Sequence, residues 1–328
     1  MALQVEINSE GMDEEYLRCL NTCFPNWGGE AVFDWVFRRA LPPDPLPDRF
    51  VLREGGQLLA GSTVTYRTVS LPNNSTIRVG IMTGSWTLAA ARGRGCFSRV
   101  IEESVRITQE REGALLLAFV THDNPSCRQL QRAGAALFPT SYLIADPETA
   151  PKENSAEKLL ADTDGEQLKA DVQYWAAGRK GQCSFKYSSF EAWSGQFVAR
   201  PWETIVIRDG AGSFAVLEKH AETDRINALW GTSKERERAL LNSLRTRASI
   251  EGRKLFSFSM DEKFAAFWRE AGLAEKPGFL TAIIADTRRL SDALRVATSE
   301  MSIQNQLLAD RSCPLYLGSW SLQSGDRM

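Results

Sequence analysis

The residues Arg92-Gly93-Arg94-Gly95 place two glycines and two fixed cations directly before an amphipathic run that opens Cys96-Phe97-Ser98. A helix starting there has N–H groups without intrahelical acceptors and about half a unit of positive charge at that end. Glycines ahead of it leave no Cβ between the backbone and an anion, and the arginines add charge. The chemistry that fits is the binding of a phosphate or pyrophosphate. A tight strand-to-helix turn with exposed arginines would use the same residues, so the surrounding elements must decide. Two familiar phosphate loops fit poorly. A P-loop needs Gly-Lys-Ser/Thr at the helix start, where this chain has Gly95-Cys96-Phe97. A dinucleotide-binding G-x-G-x-x-G is nearly spelled by Gly93, Gly95 and Ser98, but that turn follows the first strand of its domain, and this one follows a third.

Those elements alternate in two runs. In the first, helices are predicted at Asp13–Cys23 and Glu30–Arg39, and a proline-rich break separates them from strands at Arg49–Arg53, Leu58–Tyr66 and Arg78–Leu88. Phe97, Ile101 and Val105 then repeat at four-residue spacing with Val100 beside them, a helix that Gly113 ends. A strand at Ala114–Val120, a short helix at Asn124–Ala133 and a strand at Leu137–Ala145 complete the run. A polar linker, residues 147–165, leads into a second run of the same order. Its strands are placed at Glu203–Arg208, Ser213–Glu218, Arg225–Trp230, Lys254–Ser259 and Phe279–Ala285, and its long helix at Lys234–Glu251. Leu116–Phe119 ending in Arg132-Ala133-Gly134 parallels Leu255–Phe258 ending in Glu270-Ala271-Gly272. The expectation is a duplicated α/β unit with a mixed, largely antiparallel sheet and flanking helices: 1–146 and 166–286, followed by a helix and tail over 287–328.

Composition excludes several classes. At 43% hydrophobic and 24% charged, the 328 residues read as globular, with room for two domains. A formal net charge of −2 offers no general attraction to nucleic acid or anionic lipid. The longest apolar run, Ala114–Val120, suits a buried strand and is far too short to cross a bilayer. The first residues lack the basic and apolar regions of a signal peptide, so a cytoplasmic protein is expected. Six cysteines without metal or framework spacing read as small buried hydrophobes, and no metal is expected.

The glycine turn, placed between a third strand and a helix, resembles the signature Arg/Gln-x-x-Gly-x-Gly/Ala of the GCN5-related N-acetyltransferase superfamily, whose members bind acyl-CoA. Arg92-Gly93-Arg94-Gly95-Cys96-Phe97 matches it except for Phe97 in the final place. The strand Leu115–Val120, followed by Asn124 and a helix closed by Gly134, is similar to the family's second motif. The resemblance is best over residues 50–145, and a version without the glycines covers about 200–285. It implies acetyl-CoA or another acyl-CoA as cosubstrate, with its pyrophosphate on the amides of Arg94, Gly95, Cys96, Phe97 and Ser98 beside Arg92 and Gly93. The pantetheine arm would lie against the backbone of Thr87 and Leu88, with Asn124 on its other side.

The resemblance implies no acid or base that this sequence supplies. Relatives often use a Glu on the fourth strand and a Tyr on the helix after the fifth. Here the strand reads RVGIMTGSWTL and Gln131 stands near the tyrosine's place. The candidates left are His122 as base or proton relay, and Thr83 and Ser85 to order a water. A loop histidine facing solvent and ordinary strand residues are equally good readings of these three. Cys127 and Asp123 are better read as a packed helix residue and a cap. The strand-to-helix join of the second run, Ala228 to Arg236, has no glycine turn, and Ser233 there reads as an N-cap, so one CoA site per chain is expected. The function expected is acyl transfer to a small-molecule primary amine such as an amino sugar or amino acid-like metabolite, with no nucleic-acid or membrane partner. The alternative is a non-catalytic acyl-CoA-binding or scaffold protein.

Overall fold

The computed structural model describes residues 3–149, 160–161, 165–209, 212–260, 262–270, 273–296, 313, 315–316 and 319–327. The chain divides into two compact units, Met1–Phe138 with Phe279–Leu317, and Pro139–Gly278 with Gly318–Met328. No described helix is long and apolar enough to cross a membrane.

The first run gives β1 (Gln4–Ile7), α1 (Met12–Cys23), α2 (Glu30–Phe33), β2 (Asp48–Glu54), β3 (Gln57–Ser70), β4 (Thr76–Thr87), α3 (Cys96–Glu110), β5 (Leu115–Thr121), α4 (Pro125–Arg132) and β6 (Ala136–Ala145). The helix expected over Glu30–Arg39 is α for one turn and continues as a π-helical turn, Asp34–Arg38. Strands β1 to β4 form an antiparallel meander, and β5 joins β4 in parallel. A parallel neighbour requires a crossover, and α3 supplies it. The helix lies on the sheet through Val100, Ile101 and Ile107, each about 1.5–3 kcal/mol of apolar burial. Phe97 and Val105 flank that stripe and are partly buried.

The second run gives β7 (Leu160–Ala161), α5 (Gly165–Gly178), β8 (Ser184–Phe185), α6 (Phe190–Phe197), β9 (Thr204–Arg208), β10 (Phe214–Lys219), β11 (Thr223–Trp230), α7 (Lys234–Ile250), β12 (Lys254–Ser259), α8 (Glu262–Glu270), β13 (Ala274–Ile284) and α9 (Thr287–Leu294). Strands β9, β10 and β11 are antiparallel, β12 is parallel to β11, and α7 crosses between them. The duplicated order is therefore present.

The compact units depart from the sequence boundaries at two strands. From Pro139 onward β6 belongs to the second unit, antiparallel to β12 with Leu143 opposite Ser257. From Phe279 onward β13 belongs to the first unit, beside β5: the Thr281 hydroxyl donates to the Ala118 carbonyl at 3.2 Å and the Ala285 N–H to that of Ala114 at 3.0 Å. Local sequence identifies a strand but not its partner, and two apolar strands at corresponding places in a repeat compete for either edge. Of the linker placed at 147–165, only a 3₁₀ turn at Pro147–Thr149, the short β7 and Gly165 lie within the described residues. In the tail over 287–328, α9 is described, capped by the Asp286 side chain, which accepts from the Arg289 N–H at 3.0 Å. Residues 297–312 lie outside the described set.

Candidate functional site

Strands β4 and β5 share a short ladder, Val79–Ile81 against Leu115–Leu117. Just past it β4 bulges: the register with β3 shifts between Thr63↔Thr83 and Gly61↔Trp86, leaving Gly84 and Ser85 opposite Ser62 alone. Gly84 takes φ +59°, and a Cβ there would sit 2.7 Å from Phe37 Cζ. The bulge is pinned from α1. Tyr16 donates its hydroxyl to the Gly84 carbonyl at 3.0 Å and accepts from Thr63 Oγ1 at 3.1 Å. Burial pushes the Tyr16 phenol well above its ordinary range, so it stays a neutral donor. Around it Phe33, Phe37 and Trp86 pack edge to face, and Trp27 stacks on Phe37 at 5.4 Å.

Where the two strands part lies a cavity of about 860 Å³. Its walls include Met82 to Thr87 except Thr83 from β4, Ala118 to Val120 from β5, and Asn124 with Gln129 from the start and interior of α4. Arg92, Gly93, Gly95, Cys96, Phe97 and Ser98 close one side. Gly93 and Gly95 have φ of +76° and +77°, and a Cβ on either would meet nothing within 4 Å. Gly95 is the N-cap of α3, and no side chain caps that end. The Arg99 N–H reaches the Gly95 carbonyl at 3.2 Å, so the amides of Cys96, Phe97 and Ser98 have no partner inside the helix. An uncapped helix N-terminus directs partial positive charge and unpaired N–H groups at the space in front of it.

The remaining expected site residues divide into those that line the cavity and those that do not. Arg92 is exposed at the wall, and among the described residues it makes no ion pair. Arg94 turns instead to Glu54, 2.5 Å away. Thr87 lines the cavity, its carbonyl accepting from Cys23 Sγ at 3.6 Å. Leu88 is not among the described lining residues; its N–H goes to the Leu59 carbonyl and its own carbonyl accepts from Ala91, both at 2.9 Å. Asn124 caps α4, Oδ1 accepting from the Ser126 N–H at 3.0 Å and Oγ at 2.7 Å, which leaves its NH2 unused by the cap. Ser85 lines the cavity with its hydroxyl 2.6 Å from that of Ser62. Thr83 donates to the Ile81 carbonyl at 3.3 Å and is not on the described wall. His122 is exposed beyond β5, its ring 6.0 Å from that of Phe279, and is also off that wall. Cys127 is buried in the core of the first unit, and burial pushes its thiol up.

Sequence reasoning missed Cys23, Phe24 and Trp27, which line the cavity from the end of α1. Their signal was a cluster of apolar residues running past a helix C-terminus, with Phe24 left 44% exposed. Burial raises the Cys23 thiol, and Arg92 pulls it part of the way back.

No known family profile matches the sequence, and no curated protein does. Solved structures do. A probable N-acyltransferase of unknown function from Enterococcus faecalis V583 aligns over 89% of this chain and 75% of its own, with TM-score 0.63 and 12% identity. A GCN5-related N-acetyltransferase from Kribbella flavida aligns over 89% and 74%, with TM-score 0.62 and 12% identity. A tandem member of that group from the clavulanic acid biosynthesis pathway aligns over 87% of this chain and 99% of its own, with TM-score 0.59 and 12% identity. With two units of one strand-and-helix order and a helix N-terminus opening between parted strands, the chain has the fold of the GCN5-related N-acetyltransferase superfamily, carried twice.

Proposed function

We propose that the first unit binds acyl-CoA in the 860 Å³ cavity and that the protein is an N-acyltransferase acting on a small-molecule primary amine. The observation that carries the reading is the uncapped start of α3, where two glycines in left-handed conformation leave open space before free amides. A pyrophosphate suits that end because backbone dipoles and Arg92 act on it together. The parted edges of β4 and β5, with Asn124 and Thr87 both on the wall, suit a narrow amide-bearing arm such as pantetheine. Bound acyl-CoA would supply an activated acyl group. The chain's own contribution would be to hold and orient it, with the hydroxyls of Ser85, Thr87, Ser98 and Ser126 on the wall and that of Ser85 held by Ser62 at the bulge.

No carboxylate, imidazole or phenol stands among the described lining residues. Under this reading the acceptor amine gives up its proton to water rather than to a wall side chain, and His122 serves at most outside that wall. The test is release of free CoA thiol from acetyl-CoA with a panel of primary amines. Thiol release that depends on the amine supports acyl transfer. Thermal stabilisation by CoA with no thiol released by any amine would leave a binding protein instead.

A further inference from the structure

The second unit repeats the site's strand geometry. Strands β11 and β12 pair in parallel over three positions, Thr223–Arg225 against Lys254–Phe256, as β4 and β5 do. A bulge also interrupts β11 just past its ladder, two residues beyond Arg225, where the register with β10 shifts across Asn227. Beyond these features the two units differ sharply in free space. A cavity at that place, walled by Leu229, Ser259, Lys234 and Gln323 among others, holds about 60 Å³ against about 860 Å³ in the first unit.

The chain's own C-terminal segment takes up the room. The carboxamide of Gln323 makes two hydrogen bonds to the backbone of Leu229, accepting from its N–H and donating to its carbonyl, each at 3.0 Å. Gln323 also bridges Ser259 of β12. Leu229 stands four residues past Arg225, as Ser85 stands past Ile81; Ser259 stands three past Phe256, as Val120 stands past Leu117. The segment therefore spans the second unit where the open cavity lies in the first. It is held on both sides of that point. The Ser321 N–H donates to the Cys183 carbonyl at 2.9 Å. Asp326, fully buried, accepts from the Gln323 N–H at 2.8 Å, Tyr187 Oη at 2.9 Å and Arg179 at 3.1 Å. Gly325 lies so close to Phe197 that a Cβ would come within 2.2 Å of its ring.

We infer that the second unit retains a slot for an extended, amide-bearing chain and that residues 319–327 are its resident ligand. The Gln323 carboxamide satisfies the strand-edge groups that would otherwise be left for an outside ligand, and α7 is closed at its start by Ser233 Oγ, which accepts from the Arg236 N–H at 3.3 Å. One isolated backbone bridge and one side-chain amide of the same chain thus occupy the place of an outside ligand.

Hydrogen exchange on the full-length protein tests this. The amides of Ser321 and Gln323 should exchange at least about 100-fold slower than in the free peptide 319–328, and that of Leu229 at least about 100-fold slower than in the unfolded chain. In Gln323→Ala the protection of Leu229 and of the segment should fall together, by about tenfold or more, while Leu116 of the first unit is unchanged. Gly325→Val, which forces the segment away from Phe197, should give the same joint loss. Exchange of the segment at the free-peptide rate in the parent, or full protection of Leu229 in both variants, would overturn the inference.

Discussion

Arg92 is the charged residue among the described cavity-lining side chains, and its guanidinium stands in solvent. An exposed charge near a phosphate is screened by salt, so Arg92→Ala should weaken CoA binding by only about 3–10-fold in dilute buffer, with the difference shrinking towards 1 M salt. A loss independent of salt would assign Arg92 another role. In the second unit, Glu218 is fully buried on β10 and takes Arg200, His220, Arg225 at 3.3 Å and Asn227 at 3.1 Å. Burial pushes its carboxyl up, but the His220 hydrogen bond, the charges of Arg200 and Arg225 and the Asn227 hydrogen bond outweigh that and lower it to about 2. Burial in turn draws Arg200 down to about 10, which leaves it cationic at neutral pH. A depressed carboxylate stabilises fully above its unfolded value, near 4.5, and this contribution is lost as pH falls towards 2. Glu218→Gln leaves Arg200 buried without its counter-charge and should cost about 3–5 kcal/mol in urea unfolding at pH 7. The penalty should shrink as pH falls through that window. An equal penalty at pH 3 and pH 7 would contradict the ionic account.

The bulge in β4 is the element that shapes the site, and α1 holds it through one phenol. Tyr16→Phe leaves the Gly84 carbonyl without its donor and the buried Thr63 hydroxyl without its acceptor, so it should cost about 1–3 kcal/mol in urea unfolding and weaken CoA binding with it. Unchanged affinity alongside lost stability would show that the bulge does not need Tyr16 to keep its shape. Elements with a strong local period are legible in the amino-acid sequence alone. The stripe on α3 and the runs of β4 and β5 carry enough apolar residues at one spacing to decide their type, and Gly93 and Gly95 mark the turn. Features set by partners elsewhere are not legible there. The π-helical turn at Asp34–Arg38 lets Trp35, Val36 and Phe37 all reach one core, which periodicity alone reads as more α-helix. The strand β1 is four residues with little burial, too short to register as a period. Cys23 and Trp27 reach the cavity because α1 packs under β4, a tertiary fact that no spacing encodes.

At the scale of the whole molecule, duplication supplied two strand clefts, and the first unit's holds about 860 Å³ where the second unit's holds about 60 Å³ beside residues 321–323. Catalysis by such a site should follow the acceptor. With no carboxylate, imidazole or phenol on the described wall, kcat/KM should rise with pH along the ionisation of each acceptor's own amine, and shift from one amine to another. A limb at the same apparent pKa for amines of different basicity would reveal an enzyme base. Binding should be one CoA per chain, carried by the backbone at the start of α3. A Val at Gly95 would put a branched side chain into the open space before the amides and strain a residue at φ +77°. Calorimetric titration of the parent and of Gly95→Val with CoA, after circular dichroism has established that the variant is folded, tests the central claim most directly. The account predicts one site in the parent and no measurable binding in the folded variant; CoA binding in Gly95→Val with the parent's affinity would contradict it.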